Sequence, residues 1–260
     1  MEFKFSNRIS GVQGSAIREI FKYGNRPEVI SLAGGNPAPE LFPSKEFAEI
    51  LAEILAKKPT EALQYGVTEG YAPLREYVKK FIAERENIGR DFDETIIVSG
   101  GQQGIDLATK VLVNEGDAVI VEEPSFIGAL NAFRAYGAKL VGVPVKNDGM
   151  DIDVLEQKLN ETENVKIIYT IPTFQNPSGG TMSEEKRKKL YALAKKHGVV
   201  IIEDNPYGEL TFDGSKVPTI KSGDDEGVVL YSGSFSKILT PGIRVGYITG
   251  HRDLIAKMVI

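Results

Sequence analysis

Residues 166–203, KIIYTIPTFQNPSGGTMSEEKRKKLYALAKKHGVVIIE, carry the pattern that decides the fold. A β-branched run at Lys166–Ile171 predicts a strand. A Pro/Gly-rich loop follows, then a charged stretch of helical period from Glu184 to His197, and then a second strand over Val199–Glu203. Within that strand VVII (199–202) is apolar without alternation, as in a strand covered on both faces in a parallel sheet.

The same alternation extends in both directions. Strands are predicted at Thr95–Val98, Ala118–Glu122, Lys139–Val143, Val228–Ser232 and Val245–Thr249, and helices near Gln102–Asn114, Phe126–Tyr136 and Ile152–Asn160. Alternating strands and helices predict a doubly wound, three-layer α/β/α fold on a mostly parallel seven-stranded sheet. The connection 233–244 holds Pro241 and Gly242 and leaves little room for a crossover helix, so the final strand is expected to be antiparallel. Upstream, a helix is expected after Ser44 as N-cap, with Phe47, Ile50, Leu51, Ile54 and Leu55 on one face, and another from Pro73 to Arg85. The segment 32–43, LAGGNPAPELFP, reads as an irregular connection, preceded by a short helical signal near Ser15–Tyr23. There is no internal repeat or low-complexity tract.

Composition narrows the function classes. The 260 residues are 42% hydrophobic with a net charge of −5, which offers no basic field to a nucleic-acid backbone. With no cysteine and only His197 and His251 as histidines, neither a disulfide framework nor a thiolate or histidine metal site is expected. No apolar run approaches the roughly 18–20 residues of a membrane span, and the first residues lack the apolar stretch of a signal peptide. The expectation is a cytoplasmic protein without membrane or nucleic-acid partners.

In such sheets ligands bind beyond the carboxyl ends of the strands. One strand ends in Ser99-Gly100-Gly101-Gln102 and opens directly into a helix, whose free N–H groups suit an anion. A Gly-Gly turn alone is ordinary. Another strand ends in Glu203-Asp204-Asn205-Pro206-Tyr207, where a carboxylate commonly just caps the next turn. A third leads into Ser234-Phe235-Ser236-Lys237, with Arg244 seven residues on. Hydroxyls and a guanidinium suit a phosphate dianion. A lysine amine able to form an imine, a carboxylate for a ring nitrogen and a phosphate cradle together fit pyridoxal 5'-phosphate.

NPSGG (176–180), EDNPYGEL (203–210) and SGSFSKILTPGIRVGY (232–247) resemble signature segments of class I/II aminotransferases of PLP fold type I. LAGGNPAPELFP (32–43), LQYGVTEGYAPLRE (63–76) and SGGQQGIDL (99–107) resemble the 2-aminoadipate and kynurenine aminotransferase branch. The resemblance implies that Lys237 is the Schiff-base lysine and the base of the proton shift, and that Asp204 pairs with the pyridine nitrogen. Tyr207 and Asn176 would hydrogen-bond the ring's 3-oxygen, with Asn176 also near the substrate carboxylate. Gly101, Gln102, Ser234, Ser236 and Arg244 would surround the phosphate, and Phe126 would stack on the ring where many relatives have tyrosine. Tyr65 would reach the phosphate of a neighbouring subunit, which implies a homodimer with shared sites. Gly35 and Asn36 would border the substrate, and Arg18, in SAIREI (15–20), would meet an acidic side chain. Arg18 is equally readable as the solvated face of a short helix, and Phe126 and Tyr65 as packing residues.

The implied activity is transfer of an amino group between an L-amino acid, dicarboxylic by preference such as 2-aminoadipate or glutamate, and a 2-oxo acid. Residues 1–45 would be an arm with part of a small domain, and 46–260 the large cofactor-binding domain. Relatives continue beyond the last strand into a C-terminal small domain that carries an arginine for the substrate α-carboxylate, and no residue here matches it. The chain is thus expected to be C-terminally truncated, to expose apolar surface that those helices would cover, and to transaminate poorly. A non-catalytic PLP-binding fragment or an aminotransferase-like sensor domain is the competing reading, although nothing before residue 30 resembles a helix-turn-helix.

Overall fold

The computed structural model describes residues 3–10, 28–30 and 35–260. Arg18 and the helical signal at Ser15–Tyr23 lie outside them. The strands are β1 (Asp93–Val98), β2 (Ala118–Glu123), β3 (Lys139–Lys146), β4 (Gly149–Met150), β5 (Val165–Thr170), β6 (Val200–Asp204), β7 (Val229–Ser234) and β8 (Gly246–His251). They form one sheet in the order β1-β8-β7-β6-β5-β2-β3-β4. From β7 to β3 every pairing is parallel. β8 is antiparallel to both β7 and β1, so β1 runs with the parallel set. All seven expected strands form, and the last is reversed as its short connection requires. The eighth, β4, is a two-residue antiparallel addition to β3, too short for any periodicity to announce.

The helices are α1 (Asn7–Ser10), α2 (Ser44–Lys57), α3 (Pro59–Leu63), α4 (Ala72–Glu86), α5 (Gly101–Leu112), α6 (Ile127–Ala135), α7 (Ile152–Glu161), α8 (Glu184–His197) and α9 (Arg252–Val259). α5, α6 and α9 cover one face of the sheet, packing Ile105, Phe133 and Ile255 on Val121, Tyr169, Ile202 and Leu230. α7 and α8 cover the other, with Leu155 and Leu190 against Ile120, Ile168 and Ile201. α4 closes a third cluster with Tyr231 and Tyr247. Neighbouring residues of one strand enter opposite cores, as Ile201 and Ile202 do, because side chains alternate along a strand.

α8 shows why these residues become a helix. Ser183 accepts from the Lys186 N–H as N-cap, Glu184 and Glu185 fill the first turn, and Lys195, Lys196 and His197 the last. Gly198 then ends it in the left-handed conformation at φ 65°. Ser44 departs from expectation. It is the first helical residue of α2, Pro43 occupies the cap, and no side chain caps the end. α2 buries none of its residues; Ile50 and Leu51 of the predicted apolar face are 55% and 57% exposed. Among the described residues no helix is long and apolar enough to cross a membrane, and no group of three or more metal-ligating side chains is assembled.

Candidate active site

The carboxyl ends of β1, β2, β5, β6 and β7 share one edge of the sheet, and the amino end of the reversed β8 meets them there. A cavity of about 610 Å³ opens at that edge. Gly101, Gln102, Phe126, Asn176, Asp204, Tyr207, Ser234, Ser236, Lys237 and Arg244 all line it, as do Gly35 and Asn36. Among the described sequence-predicted site residues only Tyr65, almost fully solvent-exposed at 98%, does not line it; Arg18 lies outside the described residues.

One side of the cavity is built for an anion. α5 begins without any side-chain cap, so its first N–H groups are free to face a ligand. Gly100 precedes it at φ 80°, and a Cβ there would stand 2.3 Å from an Arg244 guanidinium nitrogen. Glycine takes this positive φ without strain and leaves the guanidinium room to cross the helix start. Arg244 itself is held at φ 53° and donates to the Ser99 carbonyl at 3.4 Å. The Ser234 and Ser236 hydroxyls are 3.0 Å apart, and Ser234 Oγ also accepts the Ser236 N–H at 3.1 Å.

The other groups are arranged for a flat, nitrogen-containing ring. Strand alternation sends Asp204 to the cavity face and Glu203 to the opposite one, where its carboxylate accepts the Ile220 and Lys221 N–H groups. Asp204 is 7% exposed, and burial raises its pKa to about 6, against the lowering effect of the Tyr169 hydroxyl, which donates to Oδ2 at 2.8 Å. The Ser232 hydroxyl acts in the same direction on that carboxylate, although its geometry falls short of a hydrogen bond. Lys237 Nζ donates to the Gly35 carbonyl at 2.9 Å, and burial lowers its pKa, which favours a free amine. Asn176 Nδ2 donates to Tyr207 Oη at 3.2 Å, so the two groups expected at one ring oxygen touch each other. Burial raises the Tyr207 pKa, which keeps its hydroxyl protonated as a donor.

Tyr169 and Ser125 were not read from the sequence as site residues. Tyr169 sits inside an apolar strand, and the one signal for it is a hydroxyl where the neighbouring strand residues are Val and Ile. Ser125 lines the cavity, and its buried hydroxyl has no hydrogen-bond partner among the described residues. These observations test the fit of a cofactor. A buried carboxylate, a hydroxyl without a partner among the described residues, an uncapped helix start and a half-buried amine match a phosphorylated pyridine aldehyde. At Gly101 a Cβ would stand 3.3 Å from Ser232 Oγ, a tight contact, so glycine lets the start of α5 lie close to β7.

The model of the family described as aminotransferase class I and II matches residues 27–260. The chain belongs to this family. It is 46% identical to aromatic-amino-acid aminotransferase 1 of Thermococcus litoralis over 260 residues, covering 98% of this chain and 62% of that protein. Among solved structures, the kynurenine aminotransferase of Pyrococcus horikoshii, in complex with PMP, matches with a TM-score of 0.92 at 43% identity, covering 98% of this chain and 64% of that one. The α-aminoadipate aminotransferase LysN of Thermus thermophilus, complexed with N-(5'-phosphopyridoxyl)-L-leucine, matches with a TM-score of 0.88 at 41% identity, covering 98% and 63%. The aminotransferase-family chain thus spans somewhat over three fifths of the length of these relatives, and its fold is PLP fold type I.

Proposed function

We propose that this chain carries the cofactor site of an aminotransferase that moves an amino group between an L-amino acid and a 2-oxo acid. The observation that carries the reading is the placement of Lys237, buried Asp204 and the uncapped start of α5 with Arg244 around one cavity. The cofactor is pyridoxal 5'-phosphate, and when bound it supplies the electron sink for the amino acid's α-carbon. Lys237 would hold the cofactor through its amine and would carry the proton of the 1,3-shift, from the amino acid's α-carbon to the carbon on the other side of the transferred nitrogen. Asp204 holds a proton on the ring nitrogen. Asn176 and Tyr207 donate to the ring oxygen. Ser234, Ser236, Arg244, Gly101 and Gln102 hold the phosphate, and Phe126 covers the ring.

We further read residues 46–260 as the large domain, and 1–45 as an arm with part of a small domain. The full exposure of Tyr65 supports a role toward a second copy in a cytoplasmic homodimer. For the substrate, the resemblance to 2-aminoadipate enzymes favours a dicarboxylic amino acid, bordered by Gly35 and Asn36, with Arg18 on its acid group. One feature favours an aromatic substrate instead. A cavity of about 440 Å³ lined by Phe174, Leu210 and Phe212 adjoins the site through Gly35, Asn176, Pro177 and Tyr207.

The test is an absorption spectrum of the purified chain after loading with pyridoxal phosphate and removal of the excess. A protein-bound visible band that a Lys237→Ala variant lacks supports the assignment, and absence of the band in the unaltered chain overturns it. Conversion of the band by L-glutamate or 2-aminoadipate, but not by kynurenine or phenylalanine, supports the dicarboxylic reading, and the reverse order supports the aromatic one.

A further inference from the structure

A buried acid on the far face of the sheet does not itself line the cavity, yet two cavity loops converge on it. Glu122, near the end of β2, is 2% exposed. Its Oε1 accepts the Thr170 hydroxyl at 2.6 Å, and its Oε2 accepts both the Ile171 N–H and Gln175 Nε2, each at 3.1 Å. Gln175 is itself 3% exposed and fully engaged. Its amide also donates to the Pro124 carbonyl at 2.8 Å, and its side-chain oxygen accepts the Ser178 N–H at 2.8 Å. Pro124 leads into Ser125 and Phe126, and Gln175 precedes Asn176.

We propose that Glu122 is a positioning residue: through Gln175 it sets the separation of the loop that presents Phe126 and the loop that presents Asn176. This rests on the cofactor reading above. Satisfying buried donors at a strand end is the ordinary use of such a carboxylate, and Glu203 shows that use two strands over on the same face. Glu122 differs in its partners. Glu203 binds backbone at Ile220 and Lys221, which do not line the cavity, whereas the Glu122 network ends on two loops that do.

The geometry also says which replacement is tolerated. Oε2 receives two nitrogen donors that cannot reverse, so an oxygen is required there. Oε1 faces a hydroxyl that can either donate or accept, so an amide nitrogen fits at that position. Glu122→Gln therefore keeps the network, with its amide donating to Thr170. Glu122→Leu removes both acceptors and strands three buried donors. Gln175→Met cuts the link between the loops while leaving Glu122 bound to Thr170 and Ile171.

The experiment titrates pyridoxal phosphate into the full chain and these variants, recording dissociation constants, the position of the visible band and the melting temperature of the cofactor-free protein. Leu159→Ala, a core truncation in α7, serves as a destabilised control. The expected result is that Glu122→Leu and Gln175→Met weaken cofactor binding by about 10- to 100-fold, as when groups that orient ligating side chains are removed, and shift the band. Glu122→Gln restores both readouts, and Leu159→Ala lowers the melting temperature without changing either. Should Glu122→Leu fail to fold, Gln175→Met decides. Unaltered affinity and band in variants that merely melt earlier would overturn the inference, as would a Gln variant as impaired as the Leu one. An unaltered chain that binds no pyridoxal phosphate removes the cofactor reading and this inference together, which separates that failure from the others.

Discussion

Asp204 shows how much of a site one neighbour can control. A carboxylate this deeply buried is pulled toward its neutral form, and the Tyr169 hydroxyl is its principal hydrogen-bond support as an anion. Tyr169→Phe keeps the ring that meets Phe133 edge-on at 5.5 Å and deletes only that donor. The expected outcome is an Asp204 harder to ionise and pyridoxal phosphate bound about tenfold more weakly, the worth of one charge-assisted hydrogen bond. Isothermal titration checks this, and equal affinities would assign the support of Asp204 to other groups. Lys237, Asp204 and Arg244 were legible because their residue types stand out at strand ends. Tyr169 was not, because its partner lies 35 residues away and its own strand reads as simple core. Glu122 was missed for a similar reason. It sits beside Glu123 in an EEP stretch, and only the pleat says which of the two turns inward.

At the scale of elements, the anion cradle depends on the turn between β1 and α5. Gly100→Ala would force a side chain into left-handed backbone and onto the Arg244 guanidinium. We expect a loss of about 1–3 kcal/mol of stability together with weaker binding of pyridoxal phosphate. Thermal denaturation followed by circular dichroism measures the first and the titration the second; an unchanged affinity would show that the Arg244 guanidinium shifts aside without cost to the cradle. Helices with complete end signals were legible to within a residue, as α8 was, since cap, charge gradient and terminal glycine agree. α2 lacks such a signal, and its start is set by Pro43, so its cap was misplaced. β4 owes its existence to pairing with β3, a tertiary circumstance that local sequence does not encode.

For the molecule as a whole, three buried acids set a pH dependence. Burial raises Glu122 and Glu203 to about 7 and Asp204 to about 6. Between about pH 4 and 7 the unfolded chain has released these protons while the folded one retains them, so stability falls as pH rises through that window. The melting temperature of the cofactor-free chain is expected to drop between pH 5 and 7.5, and a rise would show that the three groups ionise more readily than their burial dictates. Pyridoxal phosphate should offset more of the loss at the higher pH, because a protonated ring nitrogen favours ionised Asp204. The reversal of the last strand was legible because connection length limits topology. The pairing of the first strand with the last was not, since nothing local to Asp93–Val98 names its neighbour.

Glu203 and Asp204 are adjacent in the chain yet serve opposite faces of the sheet, and parity alone assigns them. A single-residue deletion within Val200–Ile202 would leave both carboxylates in the protein and exchange their duties, giving the cavity an acid one methylene longer and the far face one too short for its two N–H groups. Length changes in this strand are therefore tolerable only in steps of two, a constraint on variation in this region that side-chain chemistry by itself does not impose.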